Sequence, residues 1–320
     1  MFDTLHKRLL LCLAVMLPLL VFFPLILPEY FVILITQSLI YAIAALSLDL
    51  LLGYVGLAAI GHMVYFAIGA YITGILTVRY HFGFASTLFF SIAGSALAGT
   101  IIGLLALRAR DVYFLMITLS IALCGWGLAT RWVSLTGGYN GVVGIPRPNL
   151  GEVWNVHAVI PFYYLILIFF TVCLLFFYLL VRSPFGKSLV GIRDSESRMR
   201  VLGYNTWLHK YIAFIIAAAI AGLAGNLYAY YNGYVSPDAT TLQHCLKVAL
   251  MVGLGGPGTI VGPIIGAFIL TFIENILSIY TDRWVMGIAL VYFLTAMYTP
   301  EGILGLLSRF RKQEEMEATT

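Results

Sequence analysis

Charged side chains are scarce in this sequence of 320 residues. Asp, Glu, Lys and Arg together make up 10% of it, hydrophobic residues make up 61%, and the mean hydropathy is +0.97. Soluble globular domains are about one quarter charged. Too few polar side chains remain to cover a surface that faces water. The scarcity of charge therefore excludes a soluble domain and predicts an integral membrane protein.

Paired cysteines and metal-ligand spacings are also absent. The four cysteines stand singly inside apolar runs, which predicts small buried hydrophobic side chains rather than disulfides or metal ligands: Cys12, Cys124, Cys173 and Cys245. His62 and His244 have no second ligand at metal spacing. No nucleophile–base pair indicates an enzyme, and no basic patch indicates nucleic acid. We expect no catalytic residue, no metal and no cofactor.

A complete phosphate-binding loop is missing as well. Gly186, Lys187 and Ser188 match the end of that motif, but the pattern requires a glycine five residues before Gly186, where Val181 stands. The chain is therefore predicted to have no ATP site of its own.

Long apolar runs are abundant. A membrane-spanning helix needs about 20 apolar residues, whereas a barrel strand shows alternation over about ten, so these runs predict an all-α polytopic membrane protein. Ten runs are recognisable, some short or interrupted by glycine: 9–27, 31–51, 56–78, 86–107, 112–130, 159–181, 211–231, 245–259, 263–280 and 285–300. We interpret the first as a retained span; a cleaved signal peptide is the alternative.

The positions of Lys and Arg predict the orientation. With the N-terminus inside, thirteen of these residues lie on the inner side and four on the outer side, and Lys247 lies at the edge of a run. Cytoplasmic loops carry an excess of Lys and Arg. We therefore expect both termini and the loop 182–210 in the cytoplasm, and the loop 131–158 on the extracytoplasmic side.

The segment 182–210, here called the polar island, carries eight charged residues in an otherwise apolar chain. Within it, Asp194 is predicted to cap a short helix whose first turn contains Ser195 and Glu196, and Gly203 is predicted to end that helix in the left-handed conformation. A helix so short is marginal in water. Its few large apolar groups, such as Met199, suit a protein pocket better than a lipid surface. We expect a docking helix; a solvated loop is the alternative.

Several blocks of the sequence resemble one transport family. The segment 183–237, which contains IRDSESRMRVLGYN and AGLAG, is similar to the branched-chain amino acid permeases of ABC importers, and most closely to their M-type subunit. The resemblance continues in LSLDLLLGYVGLAAIGH (46–62), SLTGGYNGVVGIP (134–146), MVGLGGPGTIVGPIIGA (251–267) and TPEGILGL (299–306). Several independent blocks occur in the same order, so the resemblance is specific.

The resemblance implies an ABC importer permease fold, in which residues 1–320 form one transmembrane domain of about ten helices in a bacterial inner membrane. It implies a homologous permease as heterodimer partner, two cytoplasmic ATP-binding subunits that bind the ATP, and an extracytoplasmic solute-binding protein that contacts GGYNG (137–141). For that last segment, a simple glycine turn is the alternative. The implied ATPase-coupling helix comprises Arg193, Asp194, Ser195, Glu196, Ser197, Arg198, Met199, Leu202 and Gly203.

Helix breakers and polar residues within the runs are candidates for the translocation path. The run 245–259 contains GGPG, which cannot continue a regular helix and predicts a break. Charged groups inside spans are costly and indicate function, although snorkelling or pairing with a neighbouring span is the alternative. For Asn226, a contact between helices is favoured. The candidates are Gly255, Gly256, Pro257, Gly258, Asp49, Asn226 and Glu274.

Departures from the family pattern concern the substrate. The family commonly has alanines near Arg198 and Met199, asparagine at Asp49, and an acidic residue where Lys247 stands. IRDSESR (192–198) also resembles the urea-permease branch, so a urea or amide importer is the alternative. A secondary transporter driven by an ion gradient is the rival from another class, and it would need several ionisable groups deep in the spans.

Overall fold

The computed structural model describes residues 28–109, 111–148 and 158–280, together with scattered positions near both ends (18, 20–24, 286, 287, 289, 290, 293, 297 and 302). In these ranges, seven helices are long and apolar enough to cross a membrane. The predicted spans 9–27 and 285–300 and the block 299–306 lie largely outside the described residues, as does part of the loop 131–158 (149–157).

The described elements follow one another along the chain almost entirely as helices. In chain order they are α1 (Glu29–Asp49), α2 (Met63–Tyr80), α3 (Phe84–Ala106), α4 (Asp111–Arg131), α5 (Val133–Thr136), β1 (Val142–Val143), α6 (Val159–Arg182), α7 (Pro184–Asp194), α8 (Glu196–Val201), α9 (Thr206–Asn232), β2 (Tyr234–Val235), α10 (Leu242–Gly255) and α11 (Val261–Tyr280). Each predicted run between 31 and 280 contains one long helix, except that α10 is short, with 14 residues. The prediction of an all-α polytopic membrane protein is confirmed.

Helix α1 is the central helix of the bundle. It is buried along nearly its whole length and packs against α6, α9, α10 and α11. By contrast, only 22% of the residues in the most apolar part of α3 and of α4 are buried, and both helices expose large apolar side chains such as Leu97 and Met116. A helix that is apolar on all sides needs a protein or lipid environment. The outward faces of α3 and α4 therefore belong in the membrane.

Small residues bring α2, α3 and α9 into close contact. Gly69 of α2 lies directly against the backbone of Gly222 in α9, and Ser95 of α3 donates a hydrogen bond of 3.0 Å to the carbonyl of Tyr65. Gly225 lies against the carbonyl oxygen of Phe66, where no side chain fits. Such contacts let helix backbones approach closely in a membrane, where dispersion replaces the hydrophobic effect.

Substitution of Gly225 by valine is expected to separate α9 from α2. The new side chain would overlap the Phe66 carbonyl, and overpacking of this kind typically costs about 1–3 kcal/mol or more. The thermal unfolding midpoint of the purified protein in detergent measures the effect. Gly127→Val in α4 is the matched control, because no atom lies within 4 Å of an added Cβ at that position. An equal shift in both variants would contradict this account of the packing.

Two interruptions of helix geometry meet at one end of the bundle. Beyond Asp49, α1 continues as a wider π-helical segment over Leu50–Val55, which ends at Gly56 with φ of +81°. The hairpin of α10 and α11 turns at the same end, where Gly256 and Gly258 have φ of +110° and +78°. The helix break predicted at GGPG is confirmed. The polar island lies here too, so this end is called the island end.

The opposite end is covered by a short sheet. β1 pairs antiparallel with β2, with Val142 opposite Val235 and Val143 opposite Tyr234. GGYNG lies just before β1 and forms a tight turn that needs left-handed backbone at Gly137 and Gly138. The pairing joins the segment after α4 to the connection between α9 and α10, so the loops at this end form one surface.

Candidate functional site

The polar island folds into two short helices, α7 and α8. The hydroxyl of Ser183 caps α7 by accepting a hydrogen bond of 3.1 Å from the amide of Gly186, and Pro184 occupies the first turn. Proline is well suited to that position because its missing N–H would have no partner there. Helix α7 was not predicted as a separate element, and it extends to Asp194.

The cap of α8 is Ser195, so the predicted cap at Asp194 is wrong. Because α7 includes Asp194, the chain first becomes extended at Ser195, whose φ is −164°, and the Ser195 hydroxyl accepts from the amide of Arg198 at 3.4 Å. An N-cap requires such non-helical backbone angles. Asp194 instead pairs with Arg193 at 3.3 Å on the exposed surface.

Gly203 ends α8 as predicted. It has φ of +86°, and its amide donates to the carbonyl of Arg200 at 3.0 Å. The next amide, that of Tyr204, reaches back to the carbonyl of Met199 at 3.1 Å. These two bonds satisfy carbonyl groups that have no hydrogen-bond donor within the helix. Both ends of α8 are therefore capped, although the helix has only six residues.

Glu196 clamps α8 to the start of α9. Its carboxylate accepts hydrogen bonds from Arg200 at 2.5 Å, from Lys210 at 2.7 Å and from the hydroxyl of Thr206 at 3.1 Å. Arg200 also donates to Thr206 at 3.2 Å. Isolated helices of this length are marginal in water, and this network within the chain supplies the support that α8 needs.

The clamp also sets the pKa of Glu196. Partial burial acts to raise the pKa of this carboxyl, but the hydrogen bonds from Lys210 and Arg200 outweigh it and hold the pKa at about 2. Hydrogen bonds donated to a carboxylate favour its charged form. The clamp is therefore fully ionised at neutral pH.

The outer surface of α8 is free of internal contacts. No residue of the helix is buried, and at its end Val201 and Leu202 are 88% and 70% exposed. Met199 points the other way and lies beside Gly191 of α7. A rigid exposed element with a protruding apolar pair and surrounding cations is suited to fill a cleft on another protein.

Arg193 connects the polar island to the ends of the spans. Its guanidinium nitrogen Nη1 donates to the carbonyl oxygen of Gly53, in the π-helical segment, at 2.5 Å. The same nitrogen lies 3.0 Å from the position that a Cβ on Gly258 would occupy. Arg193 was predicted as part of the docking helix, but it lies in α7 and not in α8. Its contact across 140 positions of the chain could not be read from the sequence.

Asp49 binds the turn between α10 and α11. Its side chain is completely buried, and Oδ1 accepts a hydrogen bond of 2.8 Å from the amide of Gly258. Gly53 lies against the backbone of Gly258 with no room for a side chain. Asp49 therefore does not snorkel; it pairs with a neighbouring element, and α1, the hairpin turn and the polar island meet at one junction.

A cavity of about 780 Å³ lies next to this junction. It is bounded by the end of the π-helical segment, by the connection between α3 and α4, and by the polar island, with Leu57, Arg108, Arg193, Glu196 and Trp207 in its walls. The cavity leaves open space between α8 and the ends of the spans.

The other polar candidates pair within the bundle. Asn226 Nδ2 donates to the hydroxyl of Thr73 at 2.6 Å, which joins α9 to α2 as a helix contact. Glu274 forms an ion pair with Lys247, which joins α11 to α10. The occurrence of opposite charges in consecutive runs was the available signal for this second pair.

The histidines are also engaged separately. His62 Nε2 lies 2.9 Å from the Ser47 hydroxyl, and His244 Nε2 lies 3.2 Å from the Tyr41 hydroxyl. Within the described ranges, no group of three or more His, Cys, Asp or Glu side chains could hold a metal ion.

Comparison with known proteins gives a consistent result. Residues 30–297 match the family described as branched-chain amino acid transport system / permease component. The high-affinity branched-chain amino acid transport system permease protein LivM of Salmonella typhimurium is 30% identical over 291 residues, which cover 84% of this chain and 68% of that protein. LivM of Escherichia coli is 30% identical over 293 residues, which again cover 84% of this chain and 68% of that protein.

A more distant relative is aligned with this chain over most of its own length. The probable branched-chain amino acid transport permease protein LivM of Methanocaldococcus jannaschii is 24% identical over 319 residues, which cover 83% of this chain and 90% of that protein. These relatives are transport permeases and not enzymes. No solved structure matches the chain.

Proposed function

Because this chain belongs to the permease family of branched-chain amino acid ABC transporters, we propose that it forms the membrane path of an ATP-driven importer for branched-chain amino acids. The protein is a multi-pass membrane permease and not an enzyme. In this proposal ATP is bound and hydrolysed by separate subunits, and the chain converts their movement into a change of access to the solute.

The proposed assembly contains this chain, a homologous permease, two ATPases and a solute-binding protein. The island end faces the cytoplasm of a bacterial cell, in accord with the excess of Lys and Arg on that side. The opposite end, with GGYNG and the β1–β2 sheet, receives the solute-binding protein. Exposed Tyr139 and Tyr234 offer aromatic contacts on that surface.

The observation that carries the proposal is the construction of α8. Its cap, its terminal glycine and the Glu196 clamp hold six residues in one conformation without burying any of them. A loop that served only to connect two spans would need none of these supports. A partner that binds α8 loses little conformational entropy on the permease side, because the helix is already ordered.

The proposed cycle passes movement from the polar island to the spans. ATP binding closes the two ATPases and displaces α8, and α7 moves with it because Ser195 alone separates the two helices. Arg193 then pulls on the Gly53 carbonyl, next to the turn that Asp49 holds. Alternating access follows from movement of α1 and the α10–α11 hairpin around the solute path.

An ion-driven secondary transporter fits less well. In the described spans, Asp49 binds a backbone amide and Lys247 binds Glu274. A proton or sodium relay needs a succession of ionisable groups, and these contacts do not form one. Transport by vesicles that contain the permease without ATPases, driven by a proton or sodium gradient, would overturn the proposal.

Replacing Val201 and Leu202 together by serine is expected to release the ATPases. Both side chains are exposed, so the permease should fold and insert normally, whereas loss of two apolar contacts at an interface lowers affinity by about tenfold or more. Co-purification of the ATPases with tagged permease measures the effect. Val143→Ser, an exposed residue at the opposite end, is the control, and unchanged ATPase recovery with the double variant would contradict docking at α8.

Substrate choice is tested with the assembled transporter. Vesicles that contain the whole complex and its binding protein are expected to accumulate labelled leucine on addition of ATP. Accumulation of urea or a small amide instead of leucine would replace the proposed substrate but would leave the coupling mechanism in place.

A further inference from the structure

Lys247 and Glu274 form an ion pair inside the membrane-spanning region that is not fully enclosed. Lys247 Nζ contacts Glu274 Oε2, and the two side chains remain 12% and 19% exposed. Charged groups inside a membrane face a partner protein or a water-filled cavity rather than lipid. We therefore expect the open side of this pair to face protein or water rather than lipid.

The surroundings of Lys247 have the features of a binding site for an ammonium group. Its Nζ lies 4.3 Å from the centre of the Tyr41 ring and is paired with the Glu274 carboxylate. The Tyr41 ring is held by contacts to Phe66 and Tyr228, at centroid distances of 6.5 and 5.9 Å. An aromatic face together with a carboxylate is a favourable environment for a cation. Here the protein's own lysine occupies it.

One further exposed polar residue lies beside this pair on α10. Gln243 is exposed and Lys247 partly exposed, and the two lie four residues apart, which brings them to one face of the helix. At 1.5 Å per residue, Lys247 is about 12 Å along the axis from the end of α10 at Gly255. The pair is thus separated from the island end and lies on the side from which an imported solute arrives.

We propose that Lys247 and Glu274 form a transient binding site for the zwitterionic head group of the transported amino acid, an inference that rests on the function proposed above. The ammonium group of the solute takes the place of Lys247 Nζ between Glu274 and the Tyr41 ring. The displaced Lys247 binds the solute carboxylate. Every charge retains an opposite partner during this exchange, so the ion pair opens without leaving a buried charge unpaired.

The competing explanation is that the pair only holds α10 against α11. The two explanations differ in what a reversed pair does. Lys247→Glu combined with Glu274→Lys would still join the helices, but it would move the ammonium group away from Tyr41 and reverse the charges presented to the solute. A structural link should tolerate this reversal, whereas a zwitterion site should not.

The experiment compares ATP-driven leucine uptake by complete complexes that carry the wild-type permease, the reversed pair, or Lys247→Met combined with Glu274→Gln. Both double variants are expected to lower uptake by about tenfold or more, the size typical for loss of a hydrogen bond to a charged group. ATPase recovery and the thermal unfolding midpoint should stay close to wild type. Thr171→Val in α6, which removes one polar group from another span, is the matched control.

Recovery of wild-type uptake by the reversed pair, or normal uptake by the neutral pair, would overturn the site. A second measurement uses wild-type protein alone: L-leucine at millimolar concentration should raise the unfolding midpoint of the purified complex without binding protein. Isopentylamine and 4-methylpentanoate, each with one of the two charges, should have much smaller effects. An unfolding midpoint that leucine does not change would also overturn the site. A wild-type complex that fails to bind ATPases or to take up amino acids would contradict the proposed function instead.

Discussion

Vesicles that contain the Arg193→Gln permease are expected to hydrolyse ATP but to import much less solute. Arg193 Nη1 donates to the Gly53 carbonyl at 2.5 Å, and the guanidinium spans the gap between α7 and the π-helical segment of α1. Glutamine is shorter and uncharged, so this contact is lost. Because α8 and its clamp do not depend on Arg193, the ATPases should remain bound while the spans no longer follow them.

The expected size of the effect follows from the chemistry of the lost contact. A hydrogen bond from a charged donor contributes about 1.5–3 kcal/mol, which corresponds to a loss of about tenfold or more in solute imported per ATP hydrolysed. Arg193→Lys should fall between wild type and Arg193→Gln, because it retains the charge but not the reach or the planar fork.

The measurement is the ratio of leucine uptake to ATP hydrolysis in the same vesicles. Lys187→Gln is the matched control, since Lys187 is an exposed cation on the same helix. A purely structural role for Arg193 would lower both activities together and reduce the amount of complex recovered. An unchanged ratio in Arg193→Gln would show that movement reaches the spans by another contact.

Loss of ATPase binding is the expected result of Glu196→Ala. The substitution removes the acceptor shared by Arg200, Lys210 and Thr206, so the hydrogen bond from Arg200 to Thr206 is all that remains of the clamp between α8 and α9. Held by its cap, its terminal glycine and this one bond, a helix of six residues is expected to fray. Membrane insertion should be unaffected, because the change lies outside the spans.

Co-purification of the ATPases and hydrogen exchange of the α8 amides both measure this effect. Recovered ATPase should fall by about tenfold or more, and α8 should exchange as fast as an unstructured loop. Glu29→Ala, at the start of α1, removes an exposed acidic residue elsewhere and is the control. Full protection of α8 in Glu196→Ala would mean that the clamp is not what orders the helix.

The pH dependence of the clamp has a definite sign. The pKa of Glu196 is lowered from 4.5 in the unfolded chain to about 2 in the folded protein. The clamp therefore stabilises α8 at any pH above the unfolded-state pKa, and this stabilisation is lost as the pH falls through the folded-state pKa. Exchange protection of α8, corrected for the intrinsic rate, should therefore be the same at neutral pH and at about pH 5. A loss of protection between these two conditions would contradict the assignment.

The sequence predicted elements well where the cause is local. Apolar runs located the seven long helices and the shorter α10 between residues 31 and 280, because a lipid environment requires each span to be apolar along its length. The stop at Gly203 and the break at GGPG followed from the backbone preferences of glycine and proline. The cap of α8 was placed one residue early, at Asp194, because the preceding helix α7 was not recognised.

The candidate site was only partly predictable for a physical reason. The short helix α8 was anticipated from its composition, but its attachment depends on Lys210 and Thr206, which approach Glu196 only after the chain returns into α9. Similarly, the Arg193–Gly53 and Asp49–Gly258 hydrogen bonds join residues 140 and 209 positions apart. Such contacts leave no periodic trace in a sequence.

Hydropathy, charge distribution and glycine placement were enough to establish a helical membrane protein with one polar island and a broken helix near residue 256. These features depend on each residue's own preference for lipid, water or a backbone conformation, so they are present in the sequence itself. Tertiary structure alone decided that Asp49 is held by a backbone amide, that Lys247 and Glu274 pair beside Tyr41, and that Arg193 connects the polar island to α1. Those contacts depend on which helices become neighbours, and packing in three dimensions determines that.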